Sequence, residues 1–324
     1  MPIVVNSNAS ATSASMNLSR ANDSLRKSLA RLSSGNRINS PADDAGGLAV
    51  AYKLNSKLNR SHAVVQNAQN SLSYLQVQDS GLQTVGKILD RMGELRTMSQ
   101  DITKNTQDIE NYSKEFIELQ SQLNQIKQEK FNGISLFSSQ GSTAAGTLIQ
   151  ETGVQVTTAG GQVVTYEKYG RTLITHPSGV GTMGSISINV VNLQFVLSIG
   201  TLATSGTTNV DLGGLDTTAG TGGINADGFI SSILDVNVSQ FTEAIERLAD
   251  MRAENGAEQN RVMNTIDLLQ TNITNLEAAH GRIMDADIAL ESTRFARHNV
   301  LVQASAAMTA QANQLTNVAL QLLG

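Results

Sequence analysis

At 324 residues and a formal net charge of −5, the chain has length for roughly two or three compact units and no basic cluster, which excludes nucleic acid as an expected partner. Only 40% of residues are hydrophobic and 4% aromatic, with no Trp, so packing must rest on Leu, Ile, Val, Met and Ala across narrow helix–helix interfaces. The absence of Cys excludes disulfides and thiolate metal sites and suits a chain exported without oxidative folding, and no run approaches the ~18 apolar residues of a membrane span.

The start, Met1-Pro2-Ile3-Val4-Val5-Asn6, lacks the basic region and long apolar core of a cleaved signal peptide, so export is expected without one. From about Asn8 to Ser33, apolar residues fall at Ala11, Ala14, Leu18, Ala21, Leu25, Leu29 and Leu32, spacings that mark one helix face. Gly35 then supplies a left-handed stop. The next start is read at Ser40 as cap, Pro41 as first helical residue and Asp43 as capping-box partner, with Asp43 and Asp44 at the positive end of the helix dipole. A long helix is predicted to about Ser99, carrying Leu72, Leu75, Leu82, Val85, Leu89 and Met92.

A polar break at Thr103 to Thr106 precedes a helix with Ile109, Tyr112, Phe116, Leu119, Leu123 and Ile126, closed by the turn signal Phe131-Asn132-Gly133. From about Leu136 to Gly228 the chain turns rich in Gly, Thr and Ser. Val154 and Val156, then Ala159-Gly160-Gly161, then Val163 and Val164 read as a hairpin. Ile186, Ile188 and Val190 alternate as a strand; after a phase shift near Val191, Leu193, Phe195, Leu197 and Ile199 read as a bulge or a second strand. Helix returns at about Val238 with Phe241, Ile245 and Leu248, then Ile266, Leu269, Ile273 and Leu276. The last helix spans about Asp287 to Leu323, roughly 55 Å at ~1.5 Å per residue. Its seam is Leu301, Ala304, Met308, Leu315, Val318 and Leu322, with Gln311 as a polar interruption expected to set register.

The fold class is therefore α+β, helical at both ends with a small β insertion between them. Each terminal seam needs another helix to cover it, which points to assembly through the ends. Catalysis finds no support. His62, His176, His280 and His298 form no H-x-x-x-H pair, and no phosphate-binding loop ending in Lys-Ser or Lys-Thr and no nucleophile elbow occur. No catalytic residue, metal or cofactor is expected.

Particular blocks sharpen the reading. Leu32-Ser33-Ser34-Gly35-Asn36-Arg37-Ile38-Asn39-Ser40 is followed by Asp43-Asp44-Ala45-Gly46, then Phe131-Asn132-Gly133. Gly256-Ala257-Glu258-Gln259-Asn260-Arg261, Arg282-Ile283-Met284-Asp285-Ala286-Asp287, Ala310-Gln311-Ala312-Asn313-Gln314 and Leu320-Gln321-Leu322-Leu323 complete the set. In order and in distance from the ends, these resemble the bacterial flagellins. The resemblance implies an inner coiled-coil domain from residues 1–40 and 285–324, a helical tube domain from 41–137 and 231–284, and an outward, variable β-rich region at 138–230. It implies a filament subunit for swimming motility, outside the cell in the flagellum, that polymerises with itself. An export chaperone, a filament cap protein and junction proteins are the implied partners. A hook–filament junction protein shares the terminal pattern, but the inner-domain motifs and the Asn313-Gln314…Leu322-Leu323 ending favour the filament subunit.

The expected self-assembly seam is Leu18, Leu25, Leu29, Leu32, Leu301, Met308, Leu315, Val318 and Leu322. Full burial of one Leu or Met contributes about 1.5–3 kcal/mol before ordering entropy, so about a dozen such residues favour polymerisation. Monomers are expected to leave the terminal helices disordered, because an isolated seam stays uncovered. The resemblance also implies contact with an animal Toll-like receptor through Arg91, Leu95 and Glu118; Gly93 departs from the family, which often has a second Arg there.

Overall fold

Spacings of three and four become helices, and the alternating β-branched residues become strands, in a computed structural model that describes residues 8–138, 148–157, 163–201, 209–211 and 229–323. Of these, 148–157, 163–168, 199–201, 209–211 and 315–323 are described by their backbone. The helices are α1 (Ala9–Ser34), α2 (Ala45–Met98), α3 (Thr106–Lys127), α4 (Leu193–Leu197), α5 (Val238–Met284) and α6 (Ile288–Leu323). The strands are β1 (Lys130–Phe131), β2 (Ile134–Ser135), β3 (Phe137–Ser138), β4 (Leu148–Thr157), β5 (Val163–Ile174), β6 (Ser185–Asn192), β7 (Ser198–Thr201) and β8 (Asn209–Asp211). Mostly helical, with helical terminal regions around a small central strand insertion, this is the expected α+β class. Residues 1–59 with 272–324 form one compact unit and 60–271 another.

In the first unit, the Asn8 side chain caps α1 by accepting the Ala11 N–H at 3.0 Å, and Gly35 ends it at φ +72°. The Asp287 carboxylate caps α6 by accepting the Leu290 N–H at 3.0 Å. The two helices run antiparallel. At one end the Ala286 N–H donates to the Gly35 carbonyl at 2.8 Å, and at the other Asn8 Nδ2 donates to the Ala312 carbonyl at 2.8 Å. Each terminal helix is thus covered on one side by the other within a single chain, rather than left without a partner.

The start of α2 departs from expectation. Ser40 to Asp43 form a separate turn, closed by the Asp43 N–H on the Ser40 carbonyl at 3.0 Å. The cap is Asp44, whose carboxylate accepts the Gly47 N–H at 2.8 Å. Asp43 does reach back to the Ser40 N–H, at 3.3 Å, so half of the predicted box exists, but it closes the turn and not the helix.

In the second unit, Asn105 and Asp108 form a reciprocal capping box at the start of α3. Asn132 (φ 49°) and Gly133 (φ 79°) make the tight turn between β1 and β2, as the Asn-Gly pair predicts. The larger sheet has the order β3-β6-β5-β4, parallel between β3 and β6 and antiparallel elsewhere. Val156 lies opposite Val164 and Thr157 opposite Val163, so the predicted hairpin forms; Ala159, Gly160 and Gly161 lie outside the described residues. Leu193 to Leu197 are helix and not strand. The Asn192 side chain accepts the Phe195 N–H at 3.2 Å and turns the chain, so Leu193, Phe195, Val196 and Leu197 are all buried.

The core of this unit joins Leu75, Leu82, Val85, Leu89 and Met92 of α2 to Phe116 and Leu123 of α3 and Phe241 of α5. The rings of Phe116 and Phe241 meet edge to face, 6.2 Å apart. Gly81 lets Phe137 lie against α2; a Cβ there would stand 2.8 Å from the ring. Buried Gln78 donates to the Leu136 carbonyl at 2.8 Å and accepts from Asn255 Nδ2 at 2.7 Å, so α2, α5 and the sheet share one polar network.

Candidate assembly surface

On α1 the less exposed stripe is Ala11, Ala14, Leu18, Ala21, Leu25, Ser28 and Leu32, alternating three and four, with Ser24 and Arg31 beside it. On α6 they are Glu291, Phe295, His298, Val302, Ser305, Thr309 and Ala312, with the same alternation. These are the two faces of the antiparallel pair. Small and polar side chains dominate the α6 face, so the contact is close but modest in apolar area.

The predicted seam residues divide between this interface and the outer surface. Leu18, Leu25 and Leu32 lie on the inward face. Leu29 does not: it is 55% exposed, and Ser28, 3% exposed, holds the inward position. The spacing explains the difference, because 25–28–32 keeps the alternation of three and four whereas 25–29–32 breaks the phase set by Leu18 and Ala21. Leu301, 43% exposed, and Met308, 64% exposed, also point outward, together with Ala304 and Gln311. The side chains of Leu315, Val318 and Leu322 lie outside the described residues. Val300, Ile288, Leu290 and, on α1, Met16 add to the exposed apolar set that sequence periodicity missed. They missed it because a helix can carry two stripes, and a single best seam hides the second.

Around the α1 and α6 ends, hydrogen bonds are dense. The Arg37 N–H donates to the Met284 carbonyl at 2.6 Å, and its guanidinium donates to the Ile283 carbonyl at 2.8 and 3.2 Å. A nearby cleft of about 550 Å³ is lined by Arg31, Arg282 and Arg294 and by Asp43, Asp285 and Glu291 among others. Burial alone raises the Asp43 carboxyl, but hydrogen bonds from the Asn39 and Ser40 N–H groups and the Ser40 hydroxyl, with Arg31 3.9 Å away, outweigh it and hold the group below its ordinary value.

Arg91, Leu95 and Glu118 are separated by burial. Arg91 is exposed and ion-paired to Glu115 at 2.8 Å and Glu94 at 3.1 Å; these pairs, Glu115 first, raise its pKa. Glu118 is exposed. Leu95 is fully buried, one helical step beyond Met92 on the core face, so its side chain is not offered to a partner. Gly93 opens a groove of about 530 Å³ floored by Phe241 and Leu89 and edged by Arg91 and Glu94. Among the described residues, no group of three or more His, Cys, Asp or Glu is placed to hold a metal, and no helix is long and apolar enough to cross a membrane.

Long capped helices from both ends, paired antiparallel with apolar side chains left outward, place the chain in a class of long-helix proteins whose two terminal regions pack on each other. The family model described as the bacterial flagellin N-terminal helical region matches residues 5–142, and that of the bacterial flagellin C-terminal helical region matches 238–323, together more than half the chain. The chain is 30% identical over 325 residues to the flagellar filament 33 kDa core protein of Treponema phagedenis, covering 99% of this chain and 100% of that one. It is 31% identical over 333 residues to the flagellin of Bacillus subtilis, covering 98% and 99%. The solved structure of a protein assigned as flagellar hook-associated, from Vibrio parahaemolyticus, shares the fold at a TM-score of 0.53 and 17% identity, covering 75% of this chain and 100% of that one. The chain belongs to the bacterial flagellin family, the structural subunits of the flagellar filament.

Proposed function

We propose that copies of this chain join by covering the outward stripe of Leu301, Ala304 and Met308 on α6 and Leu29 on α1, and so build the flagellar filament. The observation that supports this most is that the more apolar face of α6 is turned away from α1. Each of these Leu and Met side chains is already about half out of water, so covering the rest adds on the order of 1 kcal/mol apiece. Repeated head-to-tail contacts of this kind extend without closing. In the polymer, residues 1–40 and 285–324 form the inner layer, 41–137 and 231–284 the surrounding tube, and 138–230 the outward region.

The same reading takes the chain out through the flagellar export apparatus. An export chaperone shields the C-terminal helix beforehand, a cap protein guides addition at the tip, and junction proteins meet the filament base. Contact with an animal Toll-like receptor uses Arg91 and Glu118, with Leu95 supporting the helix from inside. The double substitution Leu301→Asp with Met308→Asp tests the assembly face: the free chain should keep its helical circular dichroism yet form no filaments under the electron microscope. Normal filaments from that variant would show that the outward stripe is not the joint.

A further inference from the structure

The connection between β5 and β6 sets a serine hydroxyl against a histidine ring, a pairing that filament building does not use. The Thr175 N–H donates to the Gly184 carbonyl at 3.0 Å and closes the base of this loop. At its start, His176-Pro177-Ser178-Gly179 form a tight turn. The Gly179 N–H donates to the His176 carbonyl at 3.1 Å, Pro177 presets its corner, and Gly179 takes a φ of +76°. The closed turn spares much of the entropy of bringing the Ser178 and His176 side chains together.

Two groups of Ser178 converge on His176 Nδ1: the backbone N–H at 3.1 Å and Oγ at 2.6 Å. An amide N–H can only donate, so Nδ1 carries the lone pair and the ring proton sits on Nε2. The Ser178 hydroxyl then donates to the same lone pair; Met183 Sδ, 3.6 Å away, is the weaker acceptor. The Val180 N–H also donates toward Oγ, at 3.4 Å. Ser178 is exposed and His176 half-buried, so the pair stands open to reagents in solution. A hydroxyl becomes a useful nucleophile when a base lies within hydrogen-bond reach of it. Ser24 and Ser71 differ: their hydroxyls donate at 2.9 Å to helix carbonyls, which accept hydrogen bonds but are not bases. One amide near Oγ gives little stabilisation to a developing oxyanion, so the geometry fits a single acyl transfer to the serine rather than turnover.

We propose that Ser178 is an acylation site, its Oγ accepting an acyl group from an activated acyl donor of the aryl ester class with His176 as general base. The Ser178 Oγ–C bond forms as the donor's ester C–O bond breaks. The hydroxyl proton passes to His176 Nδ1 and then to the departing phenolate or to water, leaving an ester on Ser178. The site does not depend on the filament reading, and the test uses the dissociated full-length chain. p-Nitrophenyl acetate is the probe, and fragmentation mass spectrometry locates and counts the acetyl groups over time. The expected result is an acetyl ester on Ser178 formed at least about tenfold faster than on Ser24 or Ser71. His176→Ala removes the base and should slow acetylation of Ser178 at least about tenfold. His176→Gln keeps a hydrogen-bonding side chain without the base and should slow it equally. Hydrogen exchange of the Gly179 amide establishes that the turn survives, and His176→Gln decides the matter where His176→Ala loosens it. Acetylation of Ser178 no faster than that of Ser24 and Ser71, or an unchanged rate in His176→Gln, overturns the proposal.

Discussion

The two compact units bury their large side chains very differently. Among the described residues, all the largest fully buried side chains, from Leu75 through Phe116 and Leu136 to Phe241, lie between residues 60 and 271. In the other unit, Met16, Leu29, Val50, Tyr52, Ile288, Leu290, Val300, Leu301 and Met308 stand exposed, and the α1–α6 interface rests on Ala, Ser and Thr as much as on Leu. One unit has its core within a single chain. The other leaves these apolar side chains in water, so its stability depends on what covers them. A monomer can therefore be soundly folded in one part and marginal in the other.

The sharpest way to break this contrast is to remove the outward helix. Deleting Leu301 to Gly324 should leave the 60–271 unit folded and eliminate polymerisation altogether; filaments of the truncated chain in electron micrographs would show that the ends are dispensable. Next, Leu82→Ala in the filled core should cost about 2–5 kcal/mol in denaturant unfolding of the free chain, whereas Leu29→Ala should change it by no more than about 0.5 kcal/mol. Leu29→Ala should instead lower the temperature at which filaments dissociate. Equal effects of the two substitutions on the free chain would erase the distinction.

A pH titration separates the units in another way. The Asp43 carboxyl has a folded pKa below its unfolded value, so its contribution is present above the unfolded pKa, near 4, and is lost as pH falls through the folded one. Acid should loosen the turn before α2 in the wild type, and Asp43→Asn should show the loosened state at neutral pH, read by hydrogen exchange of the Ser40 amide. The smallest effect is expected from Arg91→Ala, which removes two exposed ion pairs and should leave the thermal transition of the free chain nearly unchanged.

Much of the fold was legible because the sequence states its own punctuation. Asn8 and Gly35 bracket α1, the polar break at Thr103 to Thr106 precedes α3, and Asn132-Gly133 makes a two-residue hairpin, each by a local side-chain or backbone preference that needs no tertiary partner. Where two local solutions competed, the sequence misled. Ser40-Pro41 offered a helix start, yet Asp44 made the better cap because Asp43 was already spent on the turn. Leu193, Phe195 and Leu197 alternate like a strand, but a segment buried on every side has no exposed face to reveal its period, and the Asn192 cap decided for helix. The proposed assembly surface was half legible: apolar spacing picked out Leu301 and Met308, which the structure leaves exposed, but a search for apolar residues passed over Ser28, which faces the partner helix in place of Leu29, and did not show that Leu95 is enclosed.

The hydrogen bond between Asn8 and the Ala312 carbonyl joins positions 304 residues apart. Helix α1 therefore takes as its partner a helix synthesised much later. At ribosomal rates of ~5–20 residues per second, α1 exists for roughly 15–60 s before α6 is available to it. Closing so long a loop from an unstructured chain also costs on the order of 5 kcal/mol of entropy, which an already folded middle section largely removes. The pairing of the ends thus acts as a completeness check in time: an interrupted chain cannot form it, however well its middle has folded.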